Sequence, residues 1–491
     1  MSVDALFIHP GAQDTLFGPL TQHTAIEPPT TLRMTAGYVR DRGAKIAIID
    51  MIADELTPEA TAELAEHLDP RLVVIVASGH QPSASTQAMV GTRAAALAIK
   101  NVNPNRPILV MGNHPSALPE RTLREEPIDF VAVGEGPHTI MGLLNAPTHL
   151  PNDGCIEADV PGLVWRDAVG KPIVNLSAPF IDDLDRDLHG DLWYALPMHR
   201  YRAHSWHALT GRVKPYTSIY TTLNCPYACS FCCISAMFGG SNIYRRFSPD
   251  FTIQQIARLY HGYGVRSLKI ADELFLLNRA HVHAICEGLV ATGISHDLNI
   301  WCYGRTDSIH PDDLPLLRKA GIRWIALGIE AGSAAVRAGS NKRLKGQDDN
   351  QDIIDLVRTI QAADIAIVGN FIFGLPDDTV DTMTETLDLA LAIMPEHANF
   401  YGAMAYPGSK LYDNAIASGA PLPAYWSGYS QHSPDCLPLP TATLTGPEVR
   451  AFRDRAWQRY FTDPGYLSMI ERKFGPDARA GIEAQARIIL R

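Results

Sequence analysis

Short apolar runs alternate with amphipathic stretches through the first 145 residues. Residues 5–9, 45–49, 72–77, 108–111 and 130–133 predict strands, and residues 58–67 and 86–100 predict helices between them. Strands this short, alternating with helices, point to a doubly wound, Rossmann-like parallel sheet. From Tyr216 the alternation resumes, with strand candidates at 216–222, 267–271, 298–303, 324–329, 366–373 and 399–404. Six strand–helix units fall short of a full eight-unit barrel. From Pro447, apolar positions including Phe452, Trp457 and Tyr460 recur at spacings of three and four, which predicts an amphipathic helix. The resulting division is an α/β chain with a first domain (1–145), a connector (146–213), a barrel-like core (214–419) and a small helical C-terminal extension (420–491).

Composition narrows the class. A chain of 491 residues is long enough for two or three domains, and 46% hydrophobic with 19% charged residues is ordinary for a globular protein with an ample core. The formal charge of −11 leaves no electrostatic footprint for nucleic acid, and basic runs such as Tyr244-Arg245-Arg246 are short. No apolar stretch reaches the roughly 18–20 residues needed to cross a bilayer, and MSVDALFIHP lacks the pattern of a secretory signal. The eight cysteines do not form a disulfide framework, so a reducing, cytoplasmic location is expected, without membrane or nucleic-acid partners.

In doubly wound sheets, ligands bind beyond the carboxyl ends of the strands. Here those ends carry Ser78-Gly79-His80-Gln81-Pro82-Ser83-Ala84-Ser85, Gly112-Asn113-His114-Pro115 and Gly134-Glu135-Gly136. Small residues at three neighbouring ends let a bulky planar ligand approach the backbone, although tight turns alone would also explain the glycines.

Cys225, Cys229 and Cys232 follow the first strand of the second half in a C-x3-C-x2-C run. An iron–sulfur cube ordinarily takes four thiolates, so three imply one iron held open for an exogenous ligand. The competing reading is a structural zinc loop, but such sites usually pair two C-x2-C halves and no second half is nearby. Cys233 lies outside the spacing and is read as a non-ligand.

The run resembles the signature of the radical S-adenosylmethionine (SAM) enzymes, and the later strand ends extend the likeness. The resemblance implies a partial (β/α)6 barrel and a [4Fe–4S] cluster whose open iron binds SAM. Phe231 matches an aromatic that the family sets against adenine, and Asp272 and Glu273 fall where it holds the methionine moiety; capping of the following helix is the alternative for these two acids. Arg305 is a candidate for the cofactor carboxylate, or else for a salt bridge to Asp307. Gly-Ile-Glu-Ala-Gly-Ser places Glu330 as a ribose acceptor, the glycine-bounded strand through Asn370 and Ile372 presents its edge to adenine, and Tyr406 opens a Pro-Gly-Ser turn similar to the family's.

The first half looks like the cobalamin-binding domain that precedes many radical domains. That resemblance implies cobalamin contacts at Ser83, Ala84, Ser85, Gly112, His114, Gly134, Glu135 and Gly136. The Asp-x-His-x-x-Gly motif that supplies histidine to cobalt is absent, so cobalamin is expected without that ligand; His80 and His114 are read as polar loop contacts.

The implied chemistry is reductive cleavage of SAM to methionine and a 5′-deoxyadenosyl radical, hydrogen abstraction from an unactivated carbon of a small molecule, and methyl transfer from methylcobalamin. An electron donor such as flavodoxin or ferredoxin would supply the reducing equivalent. The alternatives are cyclisation, ring rearrangement or hydration without net methylation, and a non-catalytic cobalamin- or metal-binding protein. Substrate contacts are expected from Tyr429, Gln431 and His432 in the Trp-Ser-Gly-Tyr-Ser-Gln-His run, for which an aromatic lid is the competing role. The aromatic patch at 193–207 is expected to pack between domains, over the cofactor face, with His204 and His207 as packing residues.

Overall fold

A computed structural model describes residues 2–79, 81–145, 157–241, 243–344 and 349–488. His80 and Cys155 lie outside the described residues.

The first sheet takes its parallel strands from the expected runs: β1 (Ala5–His9), β2 (Ile46–Asp50), β3 (Leu72–Val76), β4 (Ile108–Met111) and β5 (Phe130–Ala132). Their side chains are buried on both faces, the condition that favours continuous Val/Ile/Leu runs. The order β2-β1-β3-β4-β5 puts the topological switch point between β1 and β3. The sheet continues past residue 145. Two strands from the expected connector, β6 (Leu163–Arg166) and β7 (Pro172–Val174), extend it antiparallel beyond β5. The Leu-Val-Trp-Arg run supplies three buried side chains, so it gains more by completing a sheet edge than by lying in solvent.

The second sheet is parallel throughout, with β8 (Tyr216–Ile219) at one edge. A short antiparallel pair, β9 (Thr222–Leu223) and β10 (Arg245–Arg246), brackets the cysteine loop. The sheet then runs through β11 (Ser267–Ile270), β12 (Asn299–Arg305), β13 (Ile322–Glu330), β14 (Ala366–Phe373) and β15 (His397–Gly402), in the order β15-β14-β13-β12-β11-β8. It curls, because Lys269 on β11 and Tyr401 on β15 line one cavity. Period-two alternation sorts the side chains. Leu268, Ile300, Cys302, Ile325 and Ile367 face the helical layer, while Lys269, Trp301, Tyr303, Asn370 and Tyr401 face the lumen.

The gap between β8 and β15 is closed by other parts of the chain. The loop after β1 reaches the β8 edge, where Thr30 Oγ1 and Ser218 Oγ lie 2.9 Å apart and Tyr216 donates its hydroxyl to Glu27 at 3.2 Å. The 193–207 patch packs between the domains as expected, with the Arg33 guanidinium 3.6 Å from the Trp193 ring centre and Tyr201 donating to Asp50 at 2.9 Å, but its Trp206 end does not lie over the cofactor face. Trp206 packs on Trp301, Trp324 and His397 at the amino-terminal ends of the strands, and His207 is buried with Nε2 3.0 Å from the Asn299 carbonyl. Three indoles together have too much apolar surface to leave exposed, so the patch plugs the barrel floor. At the C-terminus, helices Gly446–Phe461, Pro464–Phe474 and Pro476–Ala486 pack over the β14–β15 side. Thr445 and Glu448 form a reciprocal capping box at the start of the first of these helices.

Candidate active site

The cysteine loop leaves β9 through Asn224, which adopts φ +71° and donates Nδ2 to the carbonyls of Ser241 (2.8 Å) and Ile243 (2.9 Å). A short side chain that tolerates the left-handed region and bonds locally suits this corner. Cys225, Cys229 and Cys232 are all half-buried and unoxidised. Burial pushes the Cys225 thiol up to about 11, and raises Cys229 and Cys232 as well, so a metal that binds here displaces protons. Each thiol lies in the electrostatic surroundings of another, yet among the described residues no three His, Cys, Asp or Glu donors converge on a single ion.

Two cations flank this loop. Arg305 Nη1 lies 4.0 Å from Cys229 Sγ, and its guanidinium sits 4.1 Å from the centre of the Tyr227 ring. Arg305 also forms the fork to Asp307 (2.9 and 3.1 Å) and donates to the Arg343 carbonyl at 2.9 Å, so the salt bridge weighed for it is formed. Lys342 pairs with Glu330 in a buried contact. Glu330 adopts φ +68° where the β13–β14 register shifts, a conformation uncommon for a non-glycine residue and typical of a constrained site. A Cβ on Gly328 would come 2.5 Å from Lys342 Nζ, which explains the glycine two residues before the glutamate.

The paired acids after β11 diverge in role. Asp272 neither caps the following helix nor faces the lumen. Its carboxylate accepts from Thr221 N (2.6 Å), Thr222 N (3.1 Å) and Thr221 Oγ1 (2.5 Å), holding the root of the cysteine loop, and burial pushes it up to about 6. Glu273 is buried with Oε2 lacking any hydrogen-bond partner, and burial pushes it up to about 8. An orphaned carboxyl oxygen beside Cys225 is where a cationic ligand group would be accommodated. Phe231 and Ile372 pack together at the tops of the strands with Ala331, Leu375 and Ala403. Asn370 accepts from Asn399 at 3.0 Å, and both line the lumen.

The cavity is the feature that joins the halves. About 1020 Å³ in volume, it is lined by Lys269, Trp301, Tyr303, Asn370 and Tyr401 from the barrel. From the first domain it takes Phe17 and Leu20 after β1, and Gln81, Ala84 and Gln87 after β3. These two loops flank the β1–β3 switch point, so the crevice expected to hold a ligand opens directly into the barrel lumen. Lys269 is buried against Glu27, with Nζ–Oε2 3.6 Å and the Trp301 ring 4.8 Å away.

The other loops of the first domain serve mainly as joints. Glu135 is not free for a ligand: it pairs with Arg245 and accepts from Ile181 N at 2.8 Å, tying β5 to the end of the cysteine loop. Asn113 donates to the Cys233 carbonyl at 2.9 Å. Ser85 Oγ donates to the Ala77 carbonyl and accepts from His114 N at 2.8 Å, while a Cβ on Gly112 would collide with Ala77 O. His114 is buried, with Nδ1 3.1 Å from Thr86 Oγ1 and its ring 4.5 Å from Trp426. Gly134 and Gly136 adopt φ +95° and +94°; a Cβ would meet Met111 at Gly136, but only Met237 O, at 3.8 Å, at Gly134. Ser83 precedes the helix Ala84–Val102 without a side-chain cap.

The 425–432 run is also redirected. Tyr429 is buried between Tyr406 and Trp426, and its carbonyl accepts from Gln87 Nε2 (3.3 Å) and Tyr406 Oη (3.3 Å). Gln431 lines the cavity but pairs with both backbone groups of Gly402 (2.9 and 3.0 Å) and accepts from Arg453, so most of its polar capacity is spent within the protein. Of the three expected substrate contacts, Gln431 and His432 line the cavity and Tyr429 does not; the His432 ring lies 5.7 Å from Phe17, and burial lowers its pKa to about 4. The run is chiefly a clamp between the two halves.

Residues 219–390 match the radical SAM superfamily, and residues 22–144 match the B12 binding domain. The chain carries a B12-binding domain followed by a radical SAM domain. Its cofactors are therefore a [4Fe–4S] cluster, SAM and cobalamin. An uncharacterized methyltransferase of Pyrococcus horikoshii is 28% identical over 408 residues, 83% of this chain and 82% of that protein. The anaerobic magnesium-protoporphyrin IX monomethyl ester cyclase of Rubrivivax gelatinosus is 27% identical over 78% of this chain and 66% of its own length. The fold is shared with the radical SAM methyltransferase TsrM of Kitasatospora setae, with TM-score 0.68 and 18% identity over 95% of this chain and 90% of that one.

The residues present fit these groups. The thiol loop suits a cluster, the orphaned Glu273 oxygen suits the cationic end of SAM, and the β1–β3 crevice presents Phe17, Leu20, Ala84 and Gln87 to a flat ligand. This B12-binding radical SAM enzyme joins its halves through the Glu135–Arg245 contact, whose side chains are 8% and 14% exposed. Removing one partner of a buried pair typically costs about 3–5 kcal/mol. Because Asn113, Thr30, Glu27 and Gln87 also bridge the halves, Glu135→Ala is expected to lower the denaturation midpoint without separating them; an unchanged midpoint would contradict this.

Proposed function

We propose that this enzyme methylates an unactivated carbon of a small molecule, with Cys225, Cys229 and Cys232 holding the cluster. The observation that carries the reading is the cavity lined by both halves, in which the crevice at the β1–β3 switch point and the barrel lumen are continuous. When bound, the cofactors supply hydrogen-atom abstraction at the cluster side and a transferable methyl group at the first-domain side. Glu273 would receive the SAM ammonium, Phe231 and Ile372 would pack against the adenine, and the Arg305–Asp307 and Lys342–Glu330 pairs would flank the thiolate-bound cluster. Phe17, Leu20, Ala84 and Gln87 bear on the corrin, while aromatic walls including Trp301, Tyr303 and Tyr401 exclude water and orient the substrate.

A small-molecule substrate is supported by the cavity volume, which lies at the upper end of ordinary ligand pockets, and by TsrM, which has been solved with a tryptophan substrate. Methylation is supported by the likeness to the Pyrococcus horikoshii methyltransferase. Among the described residues no helix is long and apolar enough to cross a membrane, and a cytoplasmic location is part of the proposal. An electron donor such as flavodoxin or ferredoxin completes the system.

A second reading, cyclisation without net methyl transfer, is favoured by the cyclase relatives. Product mass separates the two. Anaerobic turnover with SAM carrying a deuterated methyl group is expected to give a product heavier by one labelled CH2 equivalent. A product formed with 5′-deoxyadenosine but without the label would sink methylation and favour the cyclase reading.

A further inference from the structure

Lys269 lines the shared cavity and takes no part in the cofactor contacts. It is 1% exposed, and its place on β11 turns it into the lumen. Glu27 approaches its ammonium from the first half, with Nζ–Oε2 3.6 Å. A buried lysine is unfavourable unless its charge is met: burial lowers its pKa, while Glu27 and Glu273 act in the opposite direction. An ammonium carries three N–H donors, so a second anion can join Glu27 from the cavity side.

The walls beside it suit a flat acid. Lys269 Nζ lies 4.8 Å from the centre of the Trp301 ring and 5.3 Å from that of Tyr303, and these two rings meet edge-on at 5.1 Å. Such faces favour an unsaturated, planar body over a compact polar one. Tyr303 and Tyr401 both line the cavity, and neither hydroxyl is hydrogen-bonded among the described residues, so the same wall offers further donors. The charge of the remaining lining has the same sign. Arg455 and Arg487 line the exposed end of the cavity, and neither has an acid within ion-pair distance among the described residues. The lining acids are already matched, Asp454 by Arg453 and Glu483 by Arg479. Burial pushes the lining histidines 23, 397 and 432 toward their neutral forms. On a chain of formal charge −11 the cavity is therefore a basic recess, which concentrates anions.

We propose that Lys269 determines the substrate class of this enzyme: it binds a carboxylate carried by the substrate, whose flat, unsaturated body lies against Trp301 and Tyr303. The substrate is thus a planar organic acid. This rests on the reading of the cavity as the reaction chamber, but not on whether the product is methylated or cyclised.

The test is calorimetric titration of the cofactor-loaded, SAM-bound enzyme with indole-3-propionate and with its uncharged amide, one flat body with and without the charge. The acid is expected to bind at least about tenfold more tightly than the amide, the margin of a charged over a neutral hydrogen bond. Lys269→Met is expected to remove that preference while leaving amide binding unchanged. Because this change strands the Glu27 charge, Lys269→Met/Glu27→Gln is measured beside it and is expected to behave alike. Equal binding of acid and amide by the parent enzyme, no binding of the acid at millimolar concentration, or a preference retained without Lys269 overturns the proposal. SAM is the other source of a carboxylate. If the lysine variants raise the SAM concentration needed for 5′-deoxyadenosine formation and keep the preference for the acid, Lys269 serves the cofactor and the proposal falls. An acid preference that depends on Lys269 stands even if the labelled methyl group is not transferred, and label transfer does not rescue the proposal if that preference is absent.

Discussion

Cys229→Ala is expected to abolish cluster binding, with iron and sulfide falling to background and 5′-deoxyadenosine formation reduced by about a thousandfold or more. Cys229 is the thiol that lies beside both cations of the loop: Arg305 Nη1 is 4.0 Å from its sulfur, and Lys342 also acts on it electrostatically. Without that thiolate two ligands remain, and the flanking cations lose the charge they face. Cys233→Ala is the paired control. Its thiol is buried and its carbonyl is held by Asn113, so the variant is expected to keep its iron. Iron retained in Cys229→Ala, or lost equally in both variants, would overturn the assignment of the triad.

Asp272→Ala is expected to have the second largest effect, although the carboxylate is engaged by the protein backbone. Two backbone N–H groups and one hydroxyl converge on it at 2.5–3.1 Å in a fully buried setting. Deleting the acceptor leaves those donors unsatisfied, at a cost of about 3–5 kcal/mol. The same donors begin the turn into the cysteine loop, so the loss is expected both as a lowered denaturation midpoint and as incomplete cluster loading. Asp272→Asn keeps the volume, can keep its Oδ1 on both backbone N–H groups and can donate its amide to the Thr221 hydroxyl, so it should recover most of the loss. Full loading with a lowered midpoint would limit Asp272 to general stability; an unchanged midpoint would remove it from the loop's support altogether.

Both predictions depend on how the protein uses its acidic and amide side chains, and here the sequence misleads in a consistent way. Asp272, Glu135 and Gln431 stand at strand ends or in aromatic runs where ligand contacts are expected. Each is instead bonded to groups far along the chain: Asp272 to Thr221, Glu135 to Arg245, Gln431 to Gly402. Closing a loop between distant segments leaves buried backbone and guanidinium groups that must be paired, and short polar side chains at strand ends are near enough to pair them. Phe17, Leu20 and Gln87, which line the shared cavity, carry no motif at all. Lys269 could have been found: a lysine at the third position of Ser-Leu-Lys-Ile, in a buried strand with apolar neighbours at alternate positions, has to face a polar interior.

The sequence by itself determined the two-part α/β architecture, the six strands of the second sheet and the thiol triad. These are set by local spacing, since a run of four to eight apolar residues makes a strand wherever it lies, and C-x3-C-x2-C places three sulfurs on one loop. Only the tertiary structure decided which polar groups remain available for chemistry, that the cavity is shared between the halves, and that the 193–207 and 425–432 runs are a floor and a clamp. Those outcomes turn on which distant segments compete for the same buried donors and acceptors. That competition is settled by packing, and it leaves no periodic trace in the chain.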